Sequence, residues 1–173
     1  MELYLIRHTE TVVPKGICYG QADVDIKEPY LDIFEDIKKQ LPHDAIVYSS
    51  PLQRCKKMAE FFSDNIIFDN RLKEMNFGNW ELKAWNDIPL EEINPWMDNF
   101  VEVRVPNGES FEDLYQRVGE FYSEILQKNN NKVILFCHDG TIRSVLSLYH
   151  KTQLKDSFSL YKIQYGEIVK IIL

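Results

Sequence analysis

The chain has 173 residues, of which 45% are hydrophobic and 27% are charged, and its formal net charge is −7 at pH 7. This length and composition are typical of one folded domain and exclude a disordered chain. The acidic balance argues against partners such as nucleic acids and anionic membranes, because both attract basic surfaces. Any site that binds an anion must therefore be formed by a local cluster of basic residues.

The first residues and the cysteines indicate the compartment. The chain begins with neither a basic leader nor an apolar run of signal-peptide length, and no stretch is long enough to span a bilayer. We therefore expect a cytoplasmic protein. Cys18, Cys55 and Cys137 suit neither a disulfide framework nor a CxxC metal site, and we interpret them as reduced thiols.

Short apolar runs alternate with helical patterns from end to end of the chain, which predicts βαβ units and a largely parallel sheet. Ser50 is the predicted N-cap of the second helix, and Pro51 occupies its first position. The predicted strands are 3–6, 45–48 and 66–68, and the predicted helices are 30–41 and 52–62.

Residues 71–106 interrupt this alternation with three tryptophans and three prolines. We interpret the segment as an excursion over one edge of the sheet, where loops carry function. The alternative is a satellite hydrophobic cluster, a role that Trp80, Trp85 and Trp96 also fit.

Regular patterns resume at Asn107 with a long amphipathic helix over residues 111–126. The strongest strand, Lys132–Cys137, precedes a helix from about Thr141 to Tyr149, and residues 160–164 and 168–172 predict an antiparallel hairpin. The fold class is therefore α/β. We predict a single domain over residues 1–173, a three-layer α/β/α sandwich with a mostly parallel sheet and an antiparallel strand near the C-terminus.

Three predicted strand ends carry groups that suit a phosphate: Arg7 and His8, then Arg54 beside two serines, then His138 with Gly140. A lone Arg-His pair is more often a solvated strand end. Neighbouring parallel strands, however, bring their carboxyl ends together at one edge, where such sheets bind ligands. Two arginines and two histidines without a cysteine or carboxylate cluster at metal-ligand spacing indicate a phosphate pocket that needs no metal.

Five segments in order, LIRHTET, YSSPLQRC, KEMNFGNWE, PNGESFEDLYQRV and FCHDGTIR, resemble the histidine phosphatase superfamily, which includes the phosphoglycerate mutases. The resemblance implies a metal-independent phosphomonoesterase without a cofactor. His8 would accept the phosphoryl group as phosphohistidine, and Arg7, Arg54 and His138 would bind the phosphate oxygens. Glu74 would protonate the leaving oxygen and then activate water.

Those roles set opposite requirements on two pKa values. His8 must be neutral to attack, and nearby arginines favour that form. Glu74 needs a pKa above the usual ~4.3, through burial or a neighbouring carboxylate. Asp139 is a rival acid, because a His-Asp pair at this point resembles the acid phosphatase and phytase branch.

The segment ICYGQADVDI, with the later motifs, resembles bacterial α-ribazole phosphatases, which implies hydrolysis of α-ribazole 5′-phosphate in cobamide (cobalamin) biosynthesis. The predicted substrate-binding residues are Tyr19, Gly20 and Gln21, and an aromatic base would stack on Tyr19, Trp80 or Trp85. The expected partner is a small phosphorylated metabolite, and the sequence leaves the oligomeric state open, a homodimer included. The alternatives are a general sugar-phosphate or nucleotide phosphatase, a phosphoglycerate mutase, and a protein-directed phosphohistidine phosphatase or interaction module.

Overall fold

The computed structural model of the protein describes residues 1–128 and 130–173. Its central sheet has five strands in the order β3-β2-β4-β1-β5. The first four strands along the chain are parallel to their neighbours, and β5 pairs antiparallel with β1. The strands are β1 (Glu2–Arg7), β2 (Ile46–Ser49), β3 (Ile66–Phe68), β4 (Lys132–Cys137) and β5 (Ile168–Ile172).

Helices cover both faces of this sheet, which confirms the predicted three-layer α/β/α fold. Alternate residues of β1 separate the two hydrophobic cores: Leu3 and Leu5 pack with α4 and α5, whereas Tyr4 and Ile6 pack with α1 and α2. Burial on both faces explains why β1 and β4 are continuous apolar runs. The helices are α1 (Leu31–Gln40), α2 (Gln53–Phe62), α3 (Leu90–Asp98), α4 (Phe111–Gln127), α5 (Asp139–His150) and α6 (Ser157–Leu160). None of these helices is long and apolar enough to cross a membrane.

Helix α4 begins where the sequence predicts it. The Ser110 hydroxyl accepts a hydrogen bond from the Asp113 N–H, and the Asp113 carboxylate accepts one from the Ser110 N–H. This reciprocal pair satisfies two backbone donors that the first helical turn leaves unpaired.

Two predicted helix starts differ from the structure. Helix α2 begins at Gln53, one residue after the predicted start, so Pro51 lies outside it and the N-cap position is Leu52 rather than Ser50. The Ser50 hydroxyl accepts a hydrogen bond from the Leu52 N–H at 3.3 Å and also lies 2.8 Å from His138 Nε2. Helix α5 begins at Asp139 rather than near Thr141.

The C-terminal hairpin is also wrong. Residues 160–164 form no strand, since α6 ends at Leu160 and an irregular segment follows. Strand β5 exists as predicted, but its partner is β1, with Leu3 opposite Ile171. The apolar pattern identified a strand but could not identify the strand with which it pairs.

The excursion at residues 71–106 contains the unpredicted helix α3 and three short 3₁₀ helices. Trp80 within it is fully buried, and its indole N–H donates to Glu92 at 2.7 Å. Trp80 therefore has a structural role, as a member of the core beneath α4 and α5 rather than of a satellite cluster, and it is not available to stack on a substrate.

Candidate active site

The carboxyl ends of β1, β4 and β2 lie side by side because β4 is the middle strand of the three. This order brings the predicted site residues together: the rings of His8 and His138 are 5.3 Å apart, edge to face. A cavity of about 300 Å³ opens beside them. We call its polar part the phosphate end, formed by Arg7, His8, Arg54, Glu74, Asp139 and Gly140.

The orientation and tautomer of the His8 ring are set by the next residue in the chain. Its Nδ1 lies 2.7 Å from the carbonyl oxygen of Thr9, which fixes the proton on Nδ1 and leaves the lone pair on Nε2. The ring is buried. Burial, followed by the positive charge of Arg54, holds the pKa of His8 well below its usual value of 6.5. The imidazole is therefore neutral, as attack on phosphorus requires.

The two arginines present unpaired donors. Arg7 donates through Nη1 to the Ile163 carbonyl at 2.6 Å, and Arg54 donates to the carbonyls of Gly20 and Ala22. The Nε groups of both arginines are buried without a hydrogen-bond partner among the described residues. Buried donors are rarely left unsatisfied, so both groups indicate that an anion binds here.

His138 is fully buried and does not line the cavity directly. Its Nε2 bonds to the Ser50 hydroxyl, and the Cys55 sulfur lies 3.5 Å from the same nitrogen. Burial, then the charge of Arg54, holds the pKa of His138 well below the usual range. Its predicted contact with phosphate stays a prediction.

Glu74 reaches the phosphate end from the excursion. Its carboxylate accepts hydrogen bonds from the N–H groups of Met75 at 2.8 Å and Gly140 at 3.1 Å. Burial raises the pKa of Glu74, and the nearby charge of Asp139 raises it further. These are the two causes expected from the sequence, and they suit a general acid near neutral pH.

Asp139 faces a different partner. Its carboxylate accepts two hydrogen bonds from Arg143, at 2.7 and 3.1 Å, and lies 3.7 Å from Arg7 Nη1. Arg143 is buried, so this is an internal ion pair. The structure thus pairs Asp139 with cations and leaves Glu74 without one in hydrogen-bond contact.

The loop at residues 19–22 supports Arg54 more than it contacts the cavity. Tyr19 lines the cavity, as expected of a substrate-binding residue. The Glu81 carboxylate binds the N–H groups of Gly20 and Gln21 at 2.9 and 2.8 Å, and neither residue lines the cavity. A Cβ on Gly20 would lie 1.8 Å from the Met75 carbonyl oxygen, so only glycine fits.

Arg117 is a supporting residue that the sequence reasoning missed. Its Nη2 donates to the Glu74 carbonyl at 2.9 Å and to Glu109 at the same distance, and its Nη1 binds the carbonyls of Arg71 and Lys73. These bonds fix the backbone that carries Glu74. The signal was present, because Glu109 and Arg117 both fall in the motif PNGESFEDLYQRV.

The aromatic part of the cavity lining, which we call the aromatic end, is formed by Phe77, Trp85, Trp96, Phe100, Phe111 and Phe158. Trp85 and Trp96 stack with their ring centroids 5.8 Å apart. The Trp96 indole N–H is buried without a partner among the described residues. The described lining includes no lysine, and its arginines are the two at the phosphate end.

Across residues 1–128 and 130–173, no group of three or more His, Cys, Asp or Glu side chains is arranged to hold a metal ion. The family model of the histidine phosphatase superfamily (branch 1) matches residues 3–172. The chain belongs to this superfamily. Membership confirms the resemblance drawn from the five motifs.

The proteins that resemble this chain have names that report different activities. "Putative phosphoserine phosphatase 2" of Hydrogenobacter thermophilus is 30% identical over 92% of this chain and 83% of its own. "Probable phosphoglycerate mutase GpmB" of Erwinia tasmaniensis is 27% identical over 84% and 73%. The α-ribazole phosphatase from Shigella flexneri superimposes with a TM-score of 0.91 at 22% identity, over 100% of this chain and 91% of that one, which shows the same fold.

Proposed function

We propose that the protein hydrolyses phosphate monoesters through a phosphohistidine on His8. The observation that carries the proposal is the phosphate end itself, where the Nε groups of Arg7 and Arg54 are buried and unpaired beside a neutral His8. Phosphoryl transfer needs in-line positioning and charge neutralisation more than it needs elaborate covalent chemistry. These residues supply both.

In the first step, His8 Nε2 forms a bond to phosphorus while the ester P–O bond breaks. Protonated Glu74 gives its proton to the leaving oxygen, which departs as an alcohol. In the second step, the Glu74 carboxylate takes a proton from water, whose oxygen attacks phosphorus and breaks the P–N bond. Inorganic phosphate, free His8 and protonated Glu74 result. In this assignment Asp139 is not the acid, because Arg143 and Arg7 occupy its oxygens.

We propose α-ribazole 5′-phosphate as the substrate, hydrolysed to α-ribazole and phosphate in cobamide synthesis. The aromatic end offers stacking surfaces to a planar base, and its described lining offers no cation to a second acidic group. Three buried free thiols, Cys18, Cys55 and Cys137, favour a reducing cytoplasm as the compartment.

Phosphoserine is the second candidate, and the observation that favours it is the identity with the Hydrogenobacter relative. Its carboxylate, like that of a phosphoglycerate, would lie against aromatic rings without a basic partner. Because of this desolvation cost, we rank phosphoserine and phosphoglycerate below the phosphate ester of an uncharged aromatic alcohol as substrates. Sugar phosphates and nucleotides remain the broader alternative for the same catalytic groups.

The deciding measurement is kcat/KM across α-ribazole 5′-phosphate, mononucleotides, sugar phosphates, phosphoserine and phosphoglycerates. We expect phosphate release with the highest kcat/KM on α-ribazole 5′-phosphate. Higher values for phosphoserine would overturn the substrate, and phosphoglycerate isomerisation without phosphate release would overturn the reaction.

The phosphohistidine has its own test. Wild-type protein quenched during turnover of ³²P-labelled ester should carry acid-labile, base-stable label, and His8→Asn should carry none. His43→Asn is the matched control, because His43 is exposed and lies outside the cavity. Label that persists in His8→Asn would contradict the assignment of the nucleophile.

A further inference from the structure

Tyr165 lies in the turn before β5, and the backbone of this turn is hydrogen-bonded to Arg7 and His8. The next N–H, that of Gly166, lies 3.1 Å from the Arg7 carbonyl oxygen and 3.2 Å from that of His8. Gly166 has a φ of +71°, a conformation that favours glycine. The turn therefore has a defined position relative to the end of β1.

The Tyr165 ring covers the Arg7 guanidinium. The guanidinium carbon is 4.1 Å from the ring centroid, and the ring of His8 is 5.7 Å away. The Ile163 carbonyl, from the same segment, accepts from Arg7 Nη1. One face and one edge of the guanidinium are thus fixed by a single turn, while Nε remains unpaired.

The Tyr165 hydroxyl completes a bridge across the phosphate end. It lies 3.2 Å from the Tyr19 hydroxyl, which accepts a hydrogen bond from Thr11 at 3.0 Å. The Tyr19 ring in turn lies 5.4 Å from the guanidinium carbon of Arg54. Each arginine of the phosphate end therefore has a tyrosine ring near it, and the two tyrosines touch through their hydroxyls.

Tyr165 is uncharged at neutral pH and partly open to solvent. Burial, followed by the hydrogen bond with Tyr19, raises the pKa of Tyr165 to about 12, so the phenol keeps its proton. Tyr165 is 44% exposed, which places it at the edge of the cavity rather than in the core. Its contacts with Arg7 are therefore not explained by hydrophobic packing alone.

We propose that Tyr165 is a positioning residue for Arg7: its ring holds the guanidinium in the orientation that binds the phosphoryl group, and its hydroxyl contact with Tyr19 holds the ring. The proposal rests on the proposed function for its catalytic consequence. Its binding consequence, the affinity for inorganic phosphate, is independent of turnover. A cation–π contact at a partly desolvated site corresponds to about a tenfold change in affinity.

The experiment compares Tyr165→Leu, Tyr165→Phe and wild type by calorimetric titration with inorganic phosphate and by kcat and KM on 4-nitrophenyl phosphate. Tyr165→Leu should weaken phosphate binding about tenfold and lower kcat/KM by a similar factor. Tyr165→Phe keeps the ring and should stay within about threefold of wild type, the size of one neutral hydrogen bond. Tyr19→Phe combined with Tyr165→Phe should cost no more than Tyr19→Phe alone, since Tyr19→Phe already removes the hydroxyl contact that Tyr165→Phe removes.

Tyr149→Leu is the matched control. Tyr149 is a half-buried tyrosine outside the cavity whose hydroxyl donates to the Ile172 carbonyl at 3.0 Å. It should change the thermal midpoint without changing phosphate affinity. If Tyr165→Leu unfolds more readily than this control, Tyr165→Met, which fills the volume without a π face, replaces it.

Unchanged phosphate affinity in Tyr165→Leu, or equal losses in Tyr165→Phe and Tyr165→Leu, would overturn the proposal. Failure of the wild-type protein to bind phosphate would overturn it as well. Wild-type protein that binds phosphate but releases none from any ester would refute the proposed function alone, and the binding comparison would still decide the role of Tyr165.

Discussion

The carboxylate of Glu74 lies against the first turn of helix α5, where its Oε2 is 3.1 Å from the Gly140 N–H. A Cβ added to Gly140 would lie 2.3 Å from Glu74 Oε1 and 2.8 Å from a methyl carbon of Leu114. The absence of a side chain at residue 140 therefore allows the Glu74 carboxylate, the proposed acid, to occupy its position. The same N–H links the acid to the strand-end turn that carries His138.

Gly140→Ala should displace the Glu74 carboxylate and lower kcat/KM about 100-fold, the usual cost of misplacing a catalytic group by about 1 Å. Gly119→Ala is the matched control, because its Cβ would meet only Leu148, at 3.7 Å. That variant should keep its activity and gain about 0.5–1 kcal/mol of stability from helix propensity. Full activity in Gly140→Ala would show that Glu74 does not need this position.

The two candidate acids respond differently to amide substitution. Glu74→Gln should lower kcat/KM on an alkyl phosphate about 100-fold or more, and much less on 4-nitrophenyl phosphate, because kcat/KM reports the first step and this leaving group needs no proton. Asp139→Asn should retain most of its kcat at the optimum pH. The opposite pattern, with the larger loss in Asp139→Asn, would make Asp139 the acid.

Asp139→Asn should also move the pH profile. The charge of Asp139 raises the pKa of Glu74, so its removal lowers that pKa. Glu74 then loses its proton at a lower pH. The decline of kcat on the basic side of the pH profile, measured on an alkyl phosphate, therefore moves to lower pH. Kinetics between pH 5 and 9 test the direction, and an unmoved or alkaline-shifted limb would contradict the coupling.

Trp96→Phe should lower kcat/KM more on an ester with an aromatic base than on an aliphatic ester. The substitution keeps a ring at the aromatic end and removes the buried, unpaired indole N–H. If an acceptor on the leaving group takes that hydrogen, kcat/KM on α-ribazole 5′-phosphate falls about three- to tenfold. Glycerol phosphate, which does not reach the indole, is the control substrate. Equal losses on both esters would assign Trp96 a purely structural role.

The buried histidines should make the protein sensitive to acid. The pKa values of His8 and His138 are lowered in the folded state, so the stability that their neutral forms provide is complete above the unfolded pKa, near 6.5, and is lost as pH falls below it. Each contributes at most roughly 1.4 kcal/mol per pH unit. Urea unfolding from pH 7.5 to 5 should show a smaller pH slope for His138→Asn than for wild type. If the free energy of unfolding depends on pH equally in His138→Asn and wild type, His138 does not couple stability to pH. His43→Asn, at an exposed histidine, is the control for the effect of the substitution itself.

Particular residues show how far the sequence could be interpreted. Strand β4 has the predicted bounds because its apolar run, buried on both faces, stands between polar residues at its start and after its end. The start of helix α4 was predicted equally well, because the capping box at Ser110 involves only residues three positions apart. The three tryptophans were not separable, since only packing decides that Trp80 is core while Trp85 and Trp96 line the cavity.

The sequence by itself determined the layered α/β fold and the family, because periodicity and ordered motifs are properties of short segments, and the resemblance to the family predicted Arg7, His8, Arg54, Glu74 and His138 as site residues. The tertiary structure decided that Asp139 lies 3.7 Å from Arg7, that Trp96 presents an unpaired donor, and that Tyr165 covers Arg7. Those contacts join residues as many as 158 positions apart, from Arg7 to Tyr165. No local pattern encodes such a pairing, because the connectivity of the sheet and the packing of the excursion bring the partners together.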